Sequence, residues 1–140
     1  MSSVRLRLPG HMIFHHDLNL LVAKPRGVLN PERIQSDIAF VTAAESRTLV
    51  PFNRFVDLSA ITQIRVDVAR VSKVASLRRM DYVDRPAVKS AYFVTTKRAA
   101  QLARLCADLT KNSALQIEVF ENIGDAANWL GVTEQDLAAP

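Results

Sequence analysis

Phe55-Val56-Asp57-Leu58-Ser59-Ala60-Ile61-Thr62-Gln63-Ile64 is the stretch on which the fold turns. Residues 55–58 are a short, apolar, β-compatible run, the pattern of a strand at the centre of a sheet. Residues 59–63 read as a loop. From Ile64 onward, Ile64, Val68, Val71 and Ala75 return at helical spacing, which predicts a helix to about Arg79. Its valines lower the intrinsic propensity, so packing must hold it. A central strand passing through a short loop into an amphipathic helix is the building unit of an α/β sheet.

Working upstream, residues 12–29 are apolar-rich and bounded by turn residues, which predicts a hairpin, with Pro25 at the end of its second strand or at a bulge. Asn30 then offers a side-chain cap, Pro31 fits the first helical position, and Glu32 suits the positive end of the helix dipole. Ile34, Ile38 and Val41 follow at i, i+4 and i+7, so the helix is expected to bury that stripe and to end near Ser46. Residues 47–54 read as a basic, proline-containing connector. Downstream, residues 81–86 form a polar loop and residues 88–94 a strand. Thr95 and Thr96 then cap a helix whose Ala99, Leu102, Ala103 and Cys106 share a face. Residues 115–119 alternate as a last strand. Asn122 and Asp125 open a short helix that Gly131 is placed to close, and Thr133 and Asp136 repeat the capping spacing for a final turn. The expected order is ββαβαβαβα, with about five strands in a mixed sheet and about four helices.

The chain has 140 residues, of which 49% are apolar. That size and composition predict one domain over residues 12–140, with residues 1–11 as a flexible arm or strand extension. No apolar run approaches the length of a membrane-spanning helix, and no signal-peptide pattern opens the chain, so a cytoplasmic protein is expected. The lone Cys106 excludes an internal disulfide and a multi-cysteine metal site. The formal charge of +4 is uneven: residues 1–110 carry +8 and residues 111–140 carry −4. The bases are scattered with few interleaved aromatics, which ranks nucleic-acid binding below other roles.

The segment 55–64, together with the ending Val119-Phe120-Glu121-Asn122-Ile123-Gly124-Asp125-Ala126-Ala127-Asn128-Trp129-Leu130-Gly131, resembles the SpoIIAA-like branch of the STAS superfamily over roughly residues 12–132. The shared patterns are a strand ending in a VDLSGVT-like turn and a closing helix with an A-x-W-L-G-like sequence. Neither is an active-site motif, so the resemblance speaks to fold before function. It implies a partner-switching regulator, in which a kinase phosphorylates a serine of a D-S-S-G-like motif. Those positions here are Arg65, Val66, Asp67 and Val68, so the phosphoacceptor serine is missing and the phosphoswitch does not carry over. Family relatives that resemble carriers of hydrophobic molecules imply a second reading, a small hydrophobic ligand or lipid-binding domain.

With no acid/base or nucleophile constellation in the sequence, the expectation is a noncatalytic regulatory or scaffold module without a cofactor. An unidentified protein partner would bind at Ser59, Thr62, Gln63, Arg65 and Asp67. Thr95, Thr96, Lys97 and Arg98, at a helix start beyond a strand's carboxyl end, form a candidate anion site. His11, His15 and His16 read as strand-edge imidazoles without the carboxylates or thiols of a metal site. Cys106 reads as a packed thiol and Trp129 as a core anchor. Exposed strand edges make a homodimer a reasonable assembly.

Overall fold

The computed structural model describes residues 8–48 and 50–138. Residues 1–7 of the expected arm lie outside the described residues. The remainder is tied to the body: Met12 N–H donates to the Pro9 carbonyl at 3.0 Å and Lys24 N–H to the His11 carbonyl at 2.9 Å.

In chain order the elements are β1 (Met12–His15), β2 (Leu20–Ala23), β3 (Gly27–Leu29), α1 (Pro31–Arg47), β4 (Asn53–Asp57), β5 (Ile61–Ile64), α2 (Val68–Asp81), β6 (Val88–Phe93), α3 (Lys97–Leu109), β7 (Leu115–Phe120) and α4 (Ile123–Leu130), with a 3-10 turn at Gln135–Leu137. Five strands form a mixed sheet in the order β1-β2-β4-β6-β7, antiparallel at β1/β2 and parallel elsewhere. The α/β class, the five-stranded mixed sheet and the four helices are as the sequence predicts.

Two departures concern the segment 59–67. Ile61–Ile64 is a strand that pairs in parallel with Gly27–Leu29 to make a separate two-stranded sheet, and the helix begins only at Val68. Extended backbone suits Ile61, Thr62 and Ile64, and the side chain that caps the helix is that of Asp67, whose Oδ1 accepts the Arg70 N–H at 2.8 Å. Val68 consequently turns outward and is 52% exposed, while Val71 and Ala75 stay buried. A third departure is that the connector ends early: Asn53 and Arg54 belong to β4.

The other helix boundaries follow local chemistry. Asn30 accepts the Arg33 N–H and Pro31 opens α1. Thr96 accepts the Ala99 N–H, and Asn122 accepts the Asp125 N–H. Gly131 closes α4 at φ 74°, a left-handed conformation that costs glycine nothing. Thr133 and Asp136 bond reciprocally, side chain to backbone, at 2.9 and 3.2 Å.

Register decides which face each side chain takes. Leu20, Val22, Phe55 and Ala91 lie against Ala126, Ala127 and Leu130 of α4, with Phe120 and Trp129 packed alongside. Helices α1, α2 and α3 are associated with the opposite face, which carries the register-matched row Leu21, Arg54, Ser90 and Ile117. The α1–α3 side carries packed clusters of its own and also encloses a cavity.

Candidate ligand cavity

Under α1, α2 and α3 lies a cavity of about 200 Å³, walled almost entirely by apolar side chains. Leu21, Val56 and Ile117 of the sheet form its floor, and Ile34, Ile38, Val71, Ala75 and Ala103 are among the helical residues around it. The cavity explains why the α1 stripe departs from expectation. Ile34, Ile38 and Val41 are half-buried, and among the described residues Ala44 alone of α1 is buried. Ile34 and Val41 pack at the edges of apolar clusters, and all three residues line the cavity. Ala75 of α2 is buried, yet it belongs to none of the packed apolar clusters among the described residues.

The cavity also contains a polar cluster. Arg54 is 4% exposed at the centre of the sheet. Its Nη1 donates to the Tyr82 hydroxyl at 2.5 Å, and its Nη2 donates to Glu45 Oε2 at 3.3 Å and to the Phe52 carbonyl at 3.2 Å. Arg78 Nη2 donates to the same Tyr82 oxygen at 3.0 Å, and Tyr82 donates its own proton to Glu45 Oε2 at 2.5 Å. The Arg54 guanidinium lies 4.8 Å from the Phe52 ring centroid, and that of Arg78 lies 5.1 Å from the Tyr82 ring. Burial raises the Tyr82 phenol above its ordinary range despite the opposing pull of Arg54 and Arg78, so it remains a donor. Ser90, Tyr92, Cys106 and Thr110 also line the cavity. Burial pushes the Cys106 thiol up to about 11, which makes it an inert packed group, not a nucleophile. A second cleft, of about 230 Å³, lies on the far side of Glu45 and Tyr82, bounded by Thr48, Pro51, Arg85 and Pro86.

The sequence does not announce this cluster: Arg54 reads as part of a connector and Tyr82 as part of a loop, so neither is expected inside. One signal was available: Arg54 is in phase with Val56 and Leu58, and extending the strand backward by two places puts it on the same face.

The residues expected at the rim are at the surface. Ser59, Thr62, Gln63 and Arg65 are exposed, and so is Asp67, whose carboxylate caps α2. Ser59 donates its backbone N–H to Asp57 Oδ1 at 2.8 Å, a local turn. Arg98 Nη2 donates to the Val66 carbonyl at 3.1 Å, which joins the start of α3 to the segment between Arg65 and Asp67. Of the candidate anion residues, Thr96 uses its hydroxyl as a cap and Arg98 reaches away to Val66, while Thr95 and Lys97 are exposed. His11 bonds Asp37 of α1 at 3.0 Å, and no group of three metal-binding side chains occurs among the described residues. No helix among them is long and apolar enough to cross a membrane.

No protein-family model and no curated protein matches the chain. Among solved structures, it is similar to an uncharacterized protein of the DUF3478 family from Shewanella loihica PV-4, described as having a SpoIIAA-like fold. The two share 15% identity with a TM-score of 0.56, over 93% of this chain and 98% of that one. At that identity the likeness concerns architecture. This chain therefore has a SpoIIAA-like α/β fold.

Proposed function

We propose that this chain is a noncatalytic binding module that holds a small apolar ligand between its sheet and helices α1–α3. The observation that carries the reading is the apolar cavity of about 200 Å³ beneath a helix of which Ala44 alone, among the described residues, is buried. Ligand sites are concave, mostly apolar and largely pre-formed, with few polar groups, and spaces between helices are a common place for them. An apolar cavity of about 150 Å³ is already large enough to take benzene, so this one has room for roughly eight non-hydrogen atoms. Nothing in the cavity pairs an activated nucleophile with a base, since the Cys106 thiol is held protonated. The test is a heteronuclear NMR titration with benzene, a neutral probe. Shifts concentrated at Val71, Ala75, Ala103 and Ile117 support the reading; shifts that are absent or scattered over the surface reject it.

The exposed rim favours a second reading, protein-partner binding at Ser59, Thr62, Gln63, Arg65 and Asp67, because Arg98 ties that rim to α3. Arg65→Glu is then expected to reduce recovery of a captured partner without changing thermal unfolding. Equal recovery would remove this surface from consideration.

A further inference from the structure

We infer that the cavity's occupant is an amphipathic anion, a small carboxylate carried on an apolar chain or ring, with its headgroup at Arg54 and Arg78. The inference rests on the ligand-binding reading above and adds the chemistry of one end of the ligand.

The charge balance around the cluster carries the argument. Arg54 and Arg78 both bond the Tyr82 oxygen, and the one buried carboxylate beside them, Glu45, pairs with Arg54, 3.3 Å from its Nη2 with its side chain 12% exposed. Tyr82 is protonated and contributes no negative charge. Asp81 lies 3.8 Å from Arg78 Nη1 but is 54% exposed, so solvent screens that pair. Asp37, the other carboxylate at the cavity, bonds His11. One cationic charge is therefore left without a buried counterpart, in surroundings where an unpaired charge is costly.

Hydrogen bonding points the same way. Arg54 Nε and Arg78 Nη1 are buried and have no hydrogen-bond partner among the described residues. Both guanidiniums bond one Tyr82 oxygen, so they are held side by side, and both residues line the apolar cavity. A buried N–H without an acceptor is rare and destabilising. A carboxylate supplies acceptors for two donors and the missing negative charge together, which a neutral alcohol or ester does not. Ser90, in register with Arg54 on the neighbouring strand, adds a hydroxyl to the same wall. The rest of the lining offers an apolar tail almost nothing polar to displace.

The experiment compares hexanoate with hexan-1-ol, which share a tail length and fit the cavity, by calorimetric titration of the full chain near neutral pH. Hexanoate is expected to bind at least about tenfold more tightly, a difference of about 1.4 kcal/mol. Arg78→Gln, at a side chain 13% exposed, is expected to reduce that preference to below about threefold by weakening hexanoate and leaving hexan-1-ol unchanged. Equal affinity of the two probes for the unmodified chain, or a variant that weakens both alike, overturns the carboxylate assignment. If hexan-1-ol binds while hexanoate does not, the cavity reading survives without this inference. Failure of both probes, with benzene also silent, removes the cavity reading and the inference with it. Should the variant not fold, the comparison on the unmodified chain decides.

Discussion

Ala75→Leu tests whether the space beneath the helices is real. Ala75 is buried on α2, lines the cavity and belongs to no packed cluster among the described residues, so an isobutyl group there enters open space. The change adds three carbons. At about 0.8 kcal/mol per buried methylene the gain is about 2.4 kcal/mol. Fixing the leucine rotamer costs about 0.5–1 kcal/mol, which leaves a net stabilisation of about 1.5 kcal/mol. For a chain of this size that corresponds to a Tm increase of about 5 °C. Leucine is nearly as good a helix former as alanine, so backbone propensity does not reverse the sign. Scanning calorimetry reads the stability, and the benzene titration repeated on the variant reads the space, with the cavity shifts expected to disappear. A destabilisation of about 1–3 kcal/mol, the cost of overpacking, together with persistent benzene shifts would refute the reasoning.

Other expectations follow from the polar cluster, the caps and the titrating groups. Arg54→Met leaves the buried Glu45 carboxylate without its guanidinium and should destabilise the chain by about 3 kcal/mol in urea melts; adding Glu45→Gln should recover part of that loss, and strictly additive effects would argue against a coupled pair. Asp67→Ala should cost about 1 kcal/mol through loss of the α2 cap and Asp67→Asn much less, so an equal loss in both would point to the charge instead of the cap. Cys106, Tyr82 and Tyr92 all have their proton affinities raised by burial. The folded chain therefore keeps protons that the unfolded chain releases, and this stability, present below about pH 9, is lost as pH rises toward about 11. The urea midpoint should be lower at about pH 10.5 than at about pH 8, and an unchanged or higher midpoint would contradict the assignment.

Much of the architecture was legible because its signals are local. The Asn30-Pro31 start of α1, the Thr96 and Asn122 caps and the Gly131 terminator each depend on a few neighbouring residues, and each lies where the sequence puts it. The strand at Ile61–Ile64 was hidden because its stabilising partner, Gly27–Leu29, lies more than thirty residues earlier and pairs through backbone groups that leave no side-chain pattern. The candidate site was less legible still. A cavity is a property of how three helices stand over a sheet, and a stripe such as Ile34, Ile38 and Val41 reads the same whether it meets a packed core or an opening. Arg54 looked like connector charge because a buried guanidinium is exceptional, and its tolerance depends on Glu45 and Tyr82, 9 and 28 positions away.

Helix α1 adds polar tethers to the apolar packing of Ile34, Phe40, Val41 and Ala44. Asn30 and the Arg33 guanidinium hold its beginning to the chain before it, His11 meets it at Asp37, and Glu45 fastens its last turns to Arg54 and Tyr82. No strand of the main sheet has to separate for such an element to lift. For the guest proposed above, entry and exit would then draw on the opening of α1 and not on the unfolding of the α4 side, so residence time and resistance to denaturant would be tuned by different residues.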